Sequence, residues 1–265
     1  MAGRTVLVTG VSGFVGPHLA RALAAAGARV VGLGIEAELP PGLPLAGWHT
    51  ADLGEAEAVA EAVARSRPDA VVHLAGQSSA ARSFADPEGT FRANVAGTAN
   101  LLEAVRAGAP AARVLVVGSG EAYGPQPEGT RVGEDAPFAP VSPYAESKAE
   151  ADRLAAATAE GEGGLDVVRV RAFSHTGPGQ SPVFVVPGWA QQVAAIEAGR
   201  AEPLLRVGNL EVTRDLSDVR DVVAAYVALL ERGARGAAYN VCRGEGVKLS
   251  DVVRRMTAPA RVPVG

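Results

Sequence analysis

Short apolar runs with β-branched residues recur along the chain, separated by longer stretches whose apolar residues return every three to four positions. Thr5–Thr9 (Thr-Val-Leu-Val-Thr) has the composition of a strand buried on both faces. A helical pattern follows, with Leu19, Leu23 and Ala26 on one face. Further strands are predicted at Arg29–Leu33, Asp69–Leu74, Arg113–Val117, Leu165–Arg171 and Ala237–Cys242. Between them the periodicity predicts helices over 88–108, from Tyr144 to about 160 with Ser142 as N-cap, over 184–199, and from Asp218 to Arg232. In the last of these Val222, Val223, Tyr226, Val227 and Leu230 point inward, and Ser250 is expected to cap a final helix. Leu39–Gly47 and Gly124–Pro143 read as loops, Phe173–Gln180 as too rich in glycine and proline to be regular, and Arg206–Asp215 as short strands and a turn. The alternation predicts an α/β fold around a parallel sheet.

Gly10-Val-Ser12-Gly13-Phe14-Val15-Gly16 lies between the first strand and the first helix. Strand, glycine turn and helix in that order are the context of a dinucleotide-binding fingerprint. The glycines let the backbone approach a pyrophosphate, and the helix N-terminus offers free N–H groups and a positive dipole end. Pro17 falls in the first helical turn, where its missing N–H costs little. An acid commonly follows the second strand and binds the adenosine ribose; here that position is Gly34, with Glu36 two residues later and no arginine beside it. The choice between NAD and NADP therefore stays open.

Composition narrows the class. Of 265 residues, 48% are apolar and 20% charged, enough for a sizeable core. A net charge of −4 gives no electrostatic footprint for nucleic acid. No apolar run approaches the roughly 18 residues of a membrane span, and the N-terminus enters a strand without a signal-peptide layout, so a cytoplasmic protein is expected. A single cysteine, Cys242, excludes an intrachain disulfide and a cysteine-built metal site; at the end of an apolar strand it reads as core, as do Trp48 and Trp189.

The chain has only two lysines, and one of them, Lys148, stands four residues after Tyr144 on the same helix. That spacing puts both side chains on one face. They are either a solvated surface pair or a proton-transfer unit in which the ammonium draws the phenol's pKa, ordinarily about 10, toward neutrality. Ser119 and Glu121 follow an apolar strand at its carboxyl end, where ligands of parallel α/β sheets bind. Ser119 would supply a second hydroxyl, and Glu121 is either placed for chemistry or a solvated turn carboxylate. The strand ends at Leu74, and Ala75 and Gly76, before Gln77, have almost no side chain, which suits close passage of a cofactor. His73 reads as packing. Asp52, followed by Leu53, either contacts adenine or caps the next helix; Asn94 is either a surface residue of its helix or an orienting group near the site.

These motifs together resemble the extended short-chain dehydrogenase/reductase family over almost the whole chain: Thr9–Gly16, His73–Gln77, Asn94–Glu103, Ser119–Gly124 and Tyr144-x-x-x-Lys148. The resemblance implies a Rossmann-type doubly wound parallel sheet over residues 1–170, with a smaller substrate-binding lobe over 171–265 that is short at its C-terminal end, segments near 215–242 packing back onto the first domain. It implies NADP or NAD as cofactor, held by the glycine turn, Asp52, Leu53, Leu74, Ala75, Gly76, Asn94, Tyr144 and Lys148. Arg171–Gln180, Val207–Asp215, Asp218–Asp221 and Tyr239–Cys242 look like the branch that acts on GDP-linked sugars. That likeness implies substrate contacts from Gln77, Ser174, His175, Val207 and Asn209, with Arg214 on the diphosphate. Ser174 stands where the branch usually has asparagine. The implied activity is reduction of the 4-keto group of a GDP-4-keto-6-deoxy-hexose by Ser119, Tyr144 and Lys148, in a homodimer formed through 88–108 and 144–160. Dehydration of GDP-mannose, with Glu121 as base, and epimerisation are the alternatives; outside enzymes, an idle dinucleotide-binding protein is the competitor.

Overall fold

The computed structural model describes residues 1–39 and 41–260. Seven strands form a parallel sheet: β1 (Thr5–Thr9), β2 (Arg29–Gly34), β3 (Gly47–Thr50), β4 (Ala70–His73), β5 (Arg113–Ser119), β6 (Asp166–Ala172) and, later in the chain, β9 (Ala238–Val241). Their order is β3-β2-β1-β4-β5-β6-β9, with Leu7 level with Val31 on one side and Val71 on the other. The chain winds outward from β1 to β3, then crosses back to β4. The strand order thus reverses beside β1, the position at which such sheets open a crevice.

Two apolar layers cover the sheet, and strand alternation assigns residues to them. Val6 and Val8 face one layer, with Leu19 and Leu23 of α1 (Gly16–Ala25) and Val222, Val223, Tyr226 and Leu230 of α8 (Val219–Arg232). Leu7 faces the other, with Val59 and Val63 of α2 (Ala56–Ser66), Leu101 and Val105 of α5 (Gly97–Gly108) and Ala155 of α6 (Pro143–Ala159). Val227, expected inward, is half-buried against the first layer. Each fully buried Val or Leu contributes about 1.5–3 kcal/mol of transfer free energy.

The helix expected over 88–108 is broken in register rather than in direction. Following α3 (Ala80–Ala85), it runs as α4 (Pro87–Phe91), a π turn over Arg92–Ala96, then α5. Phe173–Gln180, expected to be irregular, yields the short strand β7 (Ser174–Thr176). It pairs in parallel with β8 (Thr213–Asp218), which pairs antiparallel with β10 (Gly246–Lys248). Backbone pairing to β8 overrides the glycine and proline content there. Beside this small sheet, Trp189 and Val193 of α7 (Val185–Glu197) bury against Leu205 and the apolar face of α9 (Leu249–Thr257).

Two expectations are corrected. Ser250 is not the cap of α9: the helix begins at Leu249 directly after β10, so Lys248 holds that position, without a side-chain bond, and Ser250 lies inside the first turn. Cys242 is exposed rather than core, since β9 ends at Val241. Among the described residues no helix is long and apolar enough to cross a membrane.

Candidate active site

A cleft of about 2190 Å³ opens over the carboxyl ends of β1, β2, β4, β5 and β6 and reaches across to β7 and β8. Small-ligand pockets run to about 300–1,000 Å³, so this one has room for two nucleotide-sized ligands.

The glycine turn forms one wall. Gly10 has φ +67°, and a Cβ there would stand 2.8 Å from the Ala75 backbone, so the turn and the β4 loop touch only because both residues are small. A Cβ on Gly16 would sit inside the Val11 carbonyl, which seats α1 tightly behind the turn. At Gly13 a Cβ would meet only Gly10 O, at 3.2 Å; otherwise it would fill the open cradle above the turn. The N-terminus of α1 carries no side-chain cap and no acid in its first turn, so its N–H groups are free for an anion. Opposite, Tyr226 reaches the cleft with a buried hydroxyl that has no hydrogen-bond partner among the described residues. A shape-fitted cradle, free donors and an orphaned hydroxyl fit a dinucleotide.

Behind the cradle, His73 is packing, as expected. It joins Thr9 Oγ1 at 2.8 Å and Thr98 Oγ1 at 2.9 Å, and burial with the nearby Lys148 charge brings it down to about 3, so it is neutral. Asn94 neither lies on the surface nor lines the cleft. Its Oδ1 accepts from the Gln77 N–H at 2.8 Å, and its Nδ2 donates to Gln77 O at 3.0 Å and Ser147 Oγ at 2.9 Å. Ser147 in turn donates to the Tyr144 carbonyl at 2.7 Å. The π turn aims Asn94 at this junction, a common use of such turns near functional sites. It clamps the β4 loop to the helix of Tyr144.

Ser142 caps that helix as expected, accepting from the Ala145 N–H at 3.1 Å. Tyr144 and Lys148 both line the cleft, with Ser119 and Glu121 beside them. Ser119 Oγ accepts from the Glu121 N–H at 3.2 Å, which leaves its own proton free to donate. Lys148 Nζ donates to Val117 O at 3.1 Å, and burial lowers it to about 8. The anticipated depression of the phenol is corrected: Tyr144 is pushed up to about 12, by burial first; the Ser119 hydrogen bond lowers it and the Glu121 charge raises it. The reason is that desolvation of the buried phenol outweighs the Ser119 hydrogen bond. Glu121 is itself raised by burial, with Arg214 pulling the other way.

Ser12, Phe14, Val15, Asp52, Leu53, Leu74 and Ala75 line the cleft. Asp52 also accepts from the Gly54 N–H at 2.8 Å, shaping the turn before α2. Ser174, His175 and Arg214 line its far side; the His175 ring stacks on Phe14 at 5.9 Å. Gln77 lines it too, but its amide nitrogen is taken by Ser79 O at 2.9 Å and Thr90 at 3.1 Å. Val207 and Asn209 lie outside the cleft lining, and Asn209 Oδ1 accepts from Glu211 N–H at 3.0 Å. Tyr226 and Glu36 also line the cleft; Glu36 was noted in the sequence only as an acid two residues past Gly34, and Tyr226 only as an inward helix residue. Tyr226 was hidden because it looks like any inward helix residue.

Sheet order, glycine turn and the Ser119–Tyr144–Lys148 cluster define a dinucleotide-binding protein of the Rossmann type. The chain belongs to the NAD dependent epimerase/dehydratase family, whose sequence model matches residues 6–242. It is 38% identical to the GDP-6-deoxy-D-mannose reductase of Pseudomonas aeruginosa over 97% of this chain and 80% of that protein. The structure of RMD from Pseudomonas aeruginosa complexed with NADPH superposes with a TM-score of 0.87 at 37% identity, covering 98% of this chain and 84% of that one. Thermus thermophilus UDP-glucose 4-epimerase in complex with NAD gives 0.86 at 33% identity, over 98% and 85%.

Proposed function

We propose that this protein is an NAD(P)H-dependent reductase of a GDP-4-keto-6-deoxy-hexose, forming a GDP-6-deoxy-hexose such as GDP-D-rhamnose. Similarity to the Pseudomonas reductase supports the substrate class. The observation that carries the reaction type is the Tyr144 phenol beside Ser119, held in its acid form by burial. A carbonyl reduction needs a proton donor at the oxygen, and a phenol at about 12 stays protonated through neutral pH.

The glycine turn and the N-terminus of α1 would hold the pyrophosphate, and Lys148 and Tyr144 the nicotinamide ribose. The bound nicotinamide supplies the hydride that carbon 4 receives. Tyr144 donates its proton to the oxygen that gains the carbonyl electron pair, and Ser119 donates a hydrogen bond to the same atom. Lys148 sets the charge beside the phenol as its proton leaves. Arg214 faces the sugar end, where its planar fork suits diphosphate oxygens.

Glu121 favours a second reading. A carboxyl near Tyr144 whose pKa is raised is a fit base for the carbon 5 proton in a 4,6-dehydratase. Supplying GDP-4-keto-6-deoxy-mannose with NADH or NADPH and following nicotinamide oxidation tests the first reading. Turnover supports it; release of a 4-keto sugar from GDP-mannose, with no oxidation in the first assay, supports the second. The same reading carries a homodimer through residues 88–108 and 144–160, in the cytoplasm; a monomer by sedimentation velocity contradicts the dimer.

A further inference from the structure

In dinucleotide folds the side chain at the end of the second strand is commonly an acid that accepts from the adenosine ribose. Here β2 ends at Gly34. A Cβ at Gly34 would meet Glu36 Oε2 at 2.6 Å and Trp48 Cη2 at 2.7 Å. The space a side chain at 34 would enter is therefore filled by the carboxylate of Glu36, folding back from two residues further on. That placement is held at both ends. Ser12, in the glycine turn, donates to Glu36 Oε1 at 2.6 Å. The Glu36 backbone carbonyl accepts from Trp48 Nε1 at 3.1 Å and Thr50 Oγ1 at 2.9 Å. Ser12, Gly34 and Glu36 all line the cleft. Among the described residues the carboxylate's one hydrogen-bond partner is Ser12, and no lysine or arginine is ion-paired with it.

We propose that Glu36 selects the cofactor, and that this protein takes NADH in preference to NADPH, unlike the NADPH-bound Pseudomonas relative. A carboxylate here accepts from a ribose hydroxyl. It repels a 2′-phosphate, which carries about −1.5 to −2 charges at neutral pH, and among the described residues no lysine or arginine is ion-paired with Glu36 to offset that repulsion. The proposal rests on NAD(P) use by this family and not on the sugar assignment.

The test is binding without any sugar. The full chain is titrated with NADH and, separately, NADPH, read by nicotinamide fluorescence and calorimetry, for the wild type and for Glu36→Gln. NADH should bind roughly tenfold or more tighter to the wild type, by the like-charge repulsion above. Glu36→Gln should narrow that ratio severalfold, chiefly by tightening NADPH. Because Glu36 is exposed, the variant's melting temperature should match the wild type. Equal or tighter NADPH binding to the wild type overturns the proposal, as does a ratio that Glu36→Gln leaves unchanged. Absence of sugar turnover alongside an NADH preference would sink only the substrate reading.

Discussion

Replacing Lys148 by methionine should make the cofactor-free protein more stable while disabling it. The Lys148 ammonium meets the Val117 carbonyl at 3.1 Å, and among the described residues no carboxylate is ion-paired with it. Burial lowers its pKa from 10.5 to about 8. That lowering corresponds to about 3 kcal/mol against the charged form in the fold. The side chain is only half-buried toward the cleft, so water recovers part of this, and losing the hydrogen bond offsets up to about 1 kcal/mol. A net gain of about 1–2 kcal/mol at pH 7 is expected for Lys148→Met in urea unfolding. Because the folded pKa is lowered, the wild type carries the full cost below pH 8. It recovers as pH rises from about 8 toward 10.5, where the unfolded chain holds more protons than the folded one. The gap between variant and wild type should thus close across that window. A less stable variant at pH 7, or a gap indifferent to pH, refutes the reasoning.

Tyr144→Phe should lower kcat by about 10²–10⁴ while leaving cofactor affinity within a few-fold, since it removes the proton donor and at most one of several ribose contacts; single-turnover kinetics and a cofactor titration check it. Asp152→Ala should destabilise by about 3–5 kcal/mol in denaturant melts, because the Arg169 and Arg171 guanidiniums at 2.6 and 3.0 Å would be left without their shared carboxylate. Gly16→Ala should cost about 1–3 kcal/mol and weaken dinucleotide binding at least tenfold, as the new methyl group forces the Val11 carbonyl and the turn apart; calorimetry of both transitions checks it.

The sheet was legible in the sequence because parallel strands buried on both faces carry continuous apolar runs, as Thr5–Thr9 does. Ser142 could be read as a cap from the serine–proline pair alone. The π turn at Arg92–Ala96 could not: it inserts one residue into a helix with no composition of its own, so the sequence left Asn94 between a surface polar residue and an orienting group. The direction of the Tyr144 shift was also out of reach. Spacing puts an ammonium near a phenol, but desolvation depends on what closes over both. Glu36 was visible two positions beyond Gly34, but that its carboxylate folds back into the space at 34 was not, because register alone does not give the turn. Cys242 and Ser250 were misplaced by a residue or two at element ends, where pairing decides and propensity does not.

The central claim is that a protonated phenol at position 144 completes a hydride transfer to a 4-keto sugar linked to GDP. The most direct measurement is a single-turnover reaction of the wild type with GDP-4-keto-6-deoxy-mannose and a stoichiometric reduced nicotinamide. Cofactor oxidation is followed beside sugar analysis by NMR. One GDP-6-deoxy-hexose formed per nicotinamide oxidised, with Tyr144→Phe slowed by at least a hundredfold, is the expected result. Oxidation that Tyr144→Phe does not slow, or a keto sugar recovered unchanged, contradicts it.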